Sequence, residues 1–184
     1  DLGRFSTAPP QLYQLRIMTI EFEHICPLPL LQETQVPDSE VWGQSCTFAS
    51  GKHYLLQAPS GKGKSTFLHL IYGLRHDFRG QLRLDGRNSR ELSKEDWLRL
   101  RREKLSMVFQ DLRLFPQLSA WENIQIKAAL HPIKTEADIQ QMAEALGVAP
   151  LLHQSAQTLS YGQQQRVAII RALCQPFSLV LLDE

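Results

Sequence analysis

The residues best suited to chemistry lie in one short loop that is rich in glycine and lysine. It reads Ser60-Gly61-Lys62-Gly63-Lys64-Ser65-Thr66. Strand signals over residues 53–57 precede the loop and apolar residues at helical spacing follow it, which is the setting in which backbone N–H groups at a helix N-terminus bind phosphate. We predict that Lys64 reaches the β- and γ-phosphates of a nucleotide and that Ser65 places its hydroxyl on Mg²⁺. The first glycine of the usual G-x-x-x-x-G-K-S pattern is Ala58 here.

Two adjacent carboxylates form a second candidate site. Asp183 and Glu184 follow the apolar run Leu179–Leu182, which is typical of a buried parallel strand. Ligands of open α/β sheets bind at the carboxyl ends of the strands. We predict that Asp183 holds Mg²⁺ through water and that Glu184 polarises the attacking water. The alternative is a pair of solvated acids after a core strand.

A third segment combines a small hydroxyl and a glycine at the start of a helix. It reads Leu159-Ser160-Tyr161-Gly162-Gln163. Such a helix N-terminus is a second anion-binding end. The chain cannot easily fold both anion sites onto one phosphate, whereas a second subunit facing the first in antiparallel fashion would allow it.

The elements that must position these residues alternate between strands and helices. Strand patterns occur over residues 19–25, 80–86, 105–109 and 179–182, and helical patterns after the phosphate loop, over 94–102, 135–146 and 163–173. Ser93 with Asp96 resembles a capping box, and Thr135 is a plausible N-cap. The alternation predicts an α/β fold with a parallel sheet, an N-terminal antiparallel β portion and a helical insertion at about 111–170.

Composition narrows the class of protein. With 184 residues, 43% of them hydrophobic, and a net charge of +1, the chain can form one domain with a sizeable core, and the charge argues against nucleic acid as a partner. Three cysteines without C-x-x-C spacing favour a reducing cytosol over disulfides or zinc. No apolar run approaches the ~20 residues that span a bilayer, so another polypeptide would supply any membrane span. Residues 1–17 are expected to be an extension before a natural start at Met18, or else an ordered arm.

Taken together, these motifs resemble those of ATP-binding cassette (ABC) proteins over residues 18–184. Residues 159–163 are similar to the Leu-Ser-Gly-Gly-Gln signature of that family, with Tyr161 in place of a glycine. Gln110, after the strand at 105–109, matches the glutamine of the family's Q-loop, which senses Mg²⁺ and the membrane partner. The resemblance implies that Ser160 and Gly162, in a signature that ends at Gln163, contact the γ-phosphate of ATP held by the opposite subunit. The two subunits would form a head-to-tail homodimer or a pair with a second cassette.

The resemblance also implies a function. It is that of an ATP-binding and ATP-hydrolysing subunit, with Mg²⁺ as cofactor and Glu184 as general base, that drives an integral membrane permease from the cytoplasmic face of the membrane. Three segments narrow it to the lipoprotein-releasing, macrolide-efflux and cell-division branch, namely Arg102–Gln110, Leu114–Pro116 and Trp121–Ile124. Residues 154–158 lack the Gly-Glu-Arg-Gly element of many fused exporters, which favours a stand-alone bacterial subunit.

Departures from the family pattern leave alternatives open. The segment Cys26–Leu31 has no aromatic residue to stack on adenine, so Trp42, Tyr13 or an apolar contact from Leu30 would have to substitute. The switch histidine, D-loop and last strands of the family would lie after Glu184, so the natural protein is expected to continue or the chain to be a fragment. The apolar residues between 112 and 121 are either subdomain core or part of a groove for the membrane partner. A regulatory ATP-binding module with little hydrolysis and a soluble ABC ATPase are the rival functions.

Overall fold

The computed structural model describes residues 17–31 and 39–183. The predictions that concern residues 1–16, including the contact of Tyr13 with adenine, lie outside the described residues. So does the prediction that Glu184 is the general base, because that residue is not described either.

An antiparallel sheet forms the N-terminal part of the molecule. It contains β1 (Thr19–Pro27), β2 (Ser45–Ala49), β3 (Phe78–Leu84) and β4 (Arg87–Asn88), in the order β2-β1-β3-β4. The predicted strand at 80–86 is confirmed, although it begins at Phe78. It ends in the expected Asp-Gly turn, where Asp85 and Gly86 both have positive φ, at 51° and 75°. A two-residue hairpin turn with this backbone matches the twist of the flanking strands.

Three helices accompany this sheet and share its core. They are α1 (Leu28–Leu31), α2 (Lys64–Ile71) and α3 (Lys94–Glu103). The helix predicted after the phosphate loop is α2, and α3 begins with the predicted capping box between Ser93 and Asp96. Aromatic rings from three elements meet at the centre of the core, with Phe22 in β1 lying 5.1 Å from Phe67 in α2 between ring centroids. The antiparallel sheet thus fixes the start of α2.

A parallel pair of strands brings distant parts of the chain to one edge. β5 (Leu105–Val108) and β6 (Leu179–Leu182) pair in register from Leu105 opposite Leu179 to Val108 opposite Leu182. Both strands were predicted. Because they run parallel, their carboxyl ends coincide, and the amide of Asp183 donates to the carbonyl of Val108 at 3.1 Å.

The strand predicted over residues 53–57 does not form. This segment has no regular structure, and Leu55 is 83% exposed. A strand needs a neighbour to satisfy its N–H and C=O groups, and no strand in the described part of the chain pairs with these residues. The apolar, β-prone composition of the segment suggested a strand, but composition alone does not supply the pairing.

A second core lies among the helices of the C-terminal half. It is built from α4 (Ala120–Ala128), α5 (Glu136–Ala145) and α6 (Tyr161–Leu173). Thr135 caps α5 as predicted, and Gly147 follows the helix with φ 67°. The helix predicted at 163–173 begins two residues earlier, at Tyr161, and fully buries Val167 and Ile170. α4 and α5 fall within the predicted insertion at 111–170, and α6 begins in it and extends to Leu173. The bounds of the insertion stay a prediction.

One helix joins the two cores. Ala168 and Ala172 of α6 pack against Val108 and Leu112 in a small separate cluster. The hydroxyl of Ser106 in β5 donates to the carbonyl of Ala172 at 2.7 Å, which satisfies a buried polar group between strand and helix. Across residues 17–31 and 39–183, no helix is long and apolar enough to cross a membrane.

Candidate nucleotide-binding site

The glycine-rich loop places the start of α2 where an anion can reach it. Gly61 and Gly63 have φ of 80° and 91°, a left-handed conformation that costs glycine little. Gly63 is the N-cap of α2, and no side chain caps this end. The first N–H groups of a helix have no partner within the helix, and its dipole favours negative charge there. The loop therefore presents backbone donors to a phosphate.

The indole ring of Trp42 packs against the glycine-rich loop. Its indole Nε1 donates to the carbonyl of Lys62 at 3.2 Å, and a Cβ added to Gly63 would lie 3.2 Å from the indole ring. The ring is 6% exposed and packs near Phe22 and Phe67. It is a core residue, so the structure does not support the suggestion that Trp42 stacks on adenine. Leu30 is equally buried and faces the same loop.

Lys64 lies along the loop that it belongs to. Its ammonium donates to the carbonyl of Ala58 at 2.9 Å and to that of Pro59 at 3.5 Å. Ala58 is not among the described residues with positive φ, so alanine at this position of the motif causes no backbone strain. The carbonyls thus hold the lysine side chain beside the N-terminus of α2.

A hydrogen bond joins the two predicted halves of the site. The hydroxyl of Ser65 donates to Oδ1 of Asp183 at 2.9 Å, across 118 residues of sequence. Asp183 is 4% exposed. Hydroxyl and carboxylate oxygens are ligands that Mg²⁺ accepts, usually together with water and substrate phosphates. The residues present therefore fit a magnesium ion at this position.

Gln110 lies at the same edge, as the prediction required. With Ser65 and Asp183 it lines an open cavity of about 300 Å³. The remaining lining residues are His69, Phe109, Asp111 and Arg113. His69 was not predicted as a site residue; it lies one helical turn after Ser65, and that spacing is the signal that could have indicated it.

The signature residues lie elsewhere. Ser160 is the N-cap of α6, and its hydroxyl accepts from the amide of Gln163 at 3.4 Å. The Gln163 side chain accepts from the amide of Ser160 at 2.8 Å, which completes a capping box. Gly162 is exposed. None of these three lines the cavity between Ser65 and Asp183, so the structure brings together the loop, Asp183 and Gln110 but not the signature.

Sequence reasoning missed how the segment after Gln110 is held. Leu112 and Arg113 both have left-handed backbones, with φ of 57° and 48°, a conformation that costs roughly 1–2 kcal/mol per non-glycine residue. The guanidinium of Arg171 donates to the carbonyls of Leu112 and Arg113, at 2.5 and 2.7 Å. Burial lowers the pKa of Arg171, but an arginine keeps its charge in proteins. An arginine that interrupts the apolar run of residues 167–173 was the available signal.

The apolar residues between 112 and 121 are mostly core. Leu112 is buried, and Leu114 and Trp121 pack against the second core. Phe115 is the exception, since 54% of it is exposed. That this segment forms part of a groove for a membrane partner stays a prediction. Phe115 is the exposed ring of the segment.

Comparison with known proteins agrees with this geometry. Residues 42–184 match the family model described as ABC transporter. The chain is 33% identical over 181 residues to the macrolide export ATP-binding/permease protein MacB of Marinobacter nauticus, covering 96% of this chain. It is 37% identical over 145 residues to the lipoprotein-releasing system ATP-binding protein LolD of Novosphingobium aromaticivorans, covering 77% of it. These relatives support the predicted branch.

Importers are similar to the same extent. The chain is 40% identical over 139 residues to the molybdate/tungstate import ATP-binding protein WtpC of Archaeoglobus fulgidus, covering 74% of this chain. It spans 27% of the length of the MacB protein, 55% of WtpC and 65% of LolD. The match nevertheless includes the phosphate loop, the Q-loop, the signature and Asp183. The chain therefore belongs to the ABC transporter family.

Proposed function

We propose that this protein binds and hydrolyses ATP as the nucleotide-binding subunit of an ABC transporter. The observation that carries the proposal is the 2.9 Å hydrogen bond between Ser65 and Asp183. It joins the phosphate loop to the acidic end of β6 and leaves Gln110 on the wall of the same cavity. The family match supports the same reading.

Different groups bind the phosphates, hold the metal and activate the water. The N–H groups at the start of α2, together with residues 60–66, bind the β- and γ-phosphates, and Lys64 stabilises charge that develops on the transferring group. Ser65, Asp183 and Gln110 would hold Mg²⁺, which neutralises phosphate charge when bound. Glu184, directly after Asp183 in the chain, acts as general base toward the attacking water.

The second half of the site comes from another copy of the chain. Ser160 and Gly162 do not line the cavity at Ser65, so we propose that they contact ATP bound to the opposite subunit of a head-to-tail dimer. Closure of that dimer would drive an integral membrane permease, with this subunit peripheral at the cytoplasmic face. The exposed ring of Phe115 is a candidate contact for the permease.

Replacing Ser65 tests the proposal directly. Ser65→Ala removes the hydroxyl that bonds Asp183, and we expect Mg²⁺-dependent ATP affinity to fall about 10–100-fold, as is typical when a group that supports a metal site is lost. Titration calorimetry with and without EDTA measures this loss. Ser65→Thr keeps a hydroxyl and is the matched control. Equal ATP affinity for parent and Ser65→Ala, with Mg²⁺ present, would refute the proposed site.

A binding module with little hydrolysis is a second candidate. One observation favours it, since neither Trp42 nor Leu30 presents a surface to adenine. Phosphate release by the full-length protein with Mg²⁺-ATP separates the two functions. Steady turnover that disappears in Glu184→Gln supports the ATPase, whereas tight ATP binding without turnover supports the module.

A further inference from the structure

Both ends of helix α6 contact the Q-loop segment, residues 110–113. At one end, the hydroxyl of Tyr161 donates to the backbone carbonyl of Gln110 at 2.9 Å. At the other end, Arg171 donates to the carbonyls of Leu112 and Arg113. The two contacts come from opposite ends of the same helix, so the segment 110–113 is bonded to α6 along its length.

The two ends of this segment are held very differently. Leu112 is buried against Ala168 and Ala172, and Arg171 bonds this end with a charged group, which makes stronger hydrogen bonds than a neutral one. The Gln110 end depends on a neutral hydroxyl of a residue that is 58% exposed. The Leu112 end is therefore the fixed end, and the Gln110 end can be adjusted.

Tyr161 connects the signature segment with the cavity at Ser65. It directly follows Ser160, which is proposed to meet ATP of the opposite subunit, and its hydroxyl bonds the residue that lines the cavity beside Ser65 and Asp183. A glycine, which the signature normally carries at this position, has no side chain to make such a bond. The link therefore requires the tyrosine side chain.

We infer that Tyr161 is a positioning residue that couples the N-terminus of α6 to Gln110, so that ATP seated at one subunit's signature adjusts the Q-loop glutamine of that same subunit. The inference rests on the proposed function, because it concerns the turnover of ATP. The hydroxyl acts through the backbone carbonyl of Gln110 and does not itself touch the nucleotide.

Tyr161→Phe in the full-length protein tests the inference, because it removes the hydroxyl and keeps the ring. We expect kcat for ATP to fall about threefold to tenfold, the factor that corresponds to one ordinary hydrogen bond, while KM and Tm stay close to those of the parent. Tyr54→Phe is the matched control. Its hydroxyl also bonds one backbone group, the amide of Ala49 at 3.0 Å, and kcat should not change.

Amide hydrogen exchange over residues 110–114, measured without nucleotide, separates failure of the inference from failure of the proposed function. Faster exchange in Tyr161→Phe, with α5 unchanged, supports the link even if the parent protein hydrolyses no ATP. Exchange identical to the parent overturns the link. Faster exchange with unaltered kcat in an active parent overturns the positioning role.

Discussion

The two helices that open at candidate phosphate sites begin in opposite ways. α2 begins after Gly63, whose backbone is left-handed, and no side chain caps its first N–H groups. α6 begins after Ser160, whose hydroxyl and the side chain of Gln163 cap each other's backbone amides. The N-terminus of α2 has no side-chain cap, whereas the N-terminus of α6 is capped by the side chains of Ser160 and Gln163.

This difference has a consequence for the order of binding. Phosphate can bind at the N-terminus of α2 without displacing a capping side chain, because this end has none. At α6, the Ser160 hydroxyl already accepts from the amide of Gln163, at 3.4 Å, and a phosphate that binds this amide has to displace it. ATP should therefore bind first to the phosphate loop, and the signature should engage it second.

Among the substitutions that compare the two helix ends, Gly63→Ala is expected to have the largest effect. An alanine at φ 91° is in the left-handed region and its Cβ would lie 3.2 Å from the Trp42 ring, so the loop or the ring must shift by a few tenths of an ångström. We expect ATP affinity to fall roughly tenfold or more, equivalent to ~1.4 kcal/mol, in titration calorimetry with a non-hydrolysable analogue. The free energy of unfolding should fall too, by about 1–2 kcal/mol for the backbone strain.

Gly162→Ala is the matched substitution at the other helix. A Cβ there meets nothing within 4 Å, and alanine favours a helix over glycine by about 1 kcal/mol. Urea unfolding should show unchanged or higher stability. If Gly162→Ala destabilises the fold as much as Gly63→Ala does, the contrast between the two helix ends is wrong.

An intermediate effect is expected from Ser160→Ala, compared with Thr135→Ala. Each removes the N-cap of a capping box, on α6 and α5 respectively, and each should cost about 1 kcal/mol of unfolding free energy. Ser160→Ala alone should weaken ATP-dependent dimerisation, measured by analytical ultracentrifugation. Equal dimerisation of the two variants would remove Ser160 from the proposed interface.

The smallest effect concerns pH. In α5 the capping-box partner is Asp138, and hydrogen bonds from the backbone and side chain of Thr135 hold its pKa below the usual value. A depressed folded pKa means that the cap's contribution is present above about pH 4, the unfolded value, and is lost as pH falls through the folded one. In α6 the partner is Gln163, which does not titrate.

Stability measurements at several pH values test this contrast. The loss of stability caused by Thr135→Ala should shrink as the pH is lowered toward 3, whereas that caused by Ser160→Ala should stay constant. Urea unfolding followed by circular dichroism provides both series. Parallel pH profiles for the two variants would contradict the assignment of the acid dependence to Asp138.

Local sequence patterns predicted most of the helices and the strands with strong pairing. The capping residues Ser93 and Thr135 act within one turn of chain, so the sequence contains the whole interaction. The Asp85-Gly86 turn is equally local. The meeting of Ser65 with Asp183 could also be predicted, because phosphate loops and the acidic ends of strands share one edge of an α/β sheet.

The predictions that failed depend on contacts that amino-acid composition does not determine. Residues 53–57 have the composition of a strand but no pairing partner among the described residues. Trp42 was a candidate for an exposed stacking ring and is buried beneath the loop, because core packing around Phe22 and Phe67 decides its position. The contacts of Tyr161 and Arg171 with the Q-loop depend on how α6 lies against β5, which the sequence pattern does not determine.

The separation of Ser65 and Asp183 along the chain also bears on how the protein folds. Their contact closes a loop of 118 residues, and contacts of such long range form late, after local helices and turns. During synthesis the phosphate loop leaves the ribosome well before its carboxylate partner exists. Because the proposed Mg²⁺ site needs both residues, tight Mg²⁺-ATP binding would report that this late contact has formed.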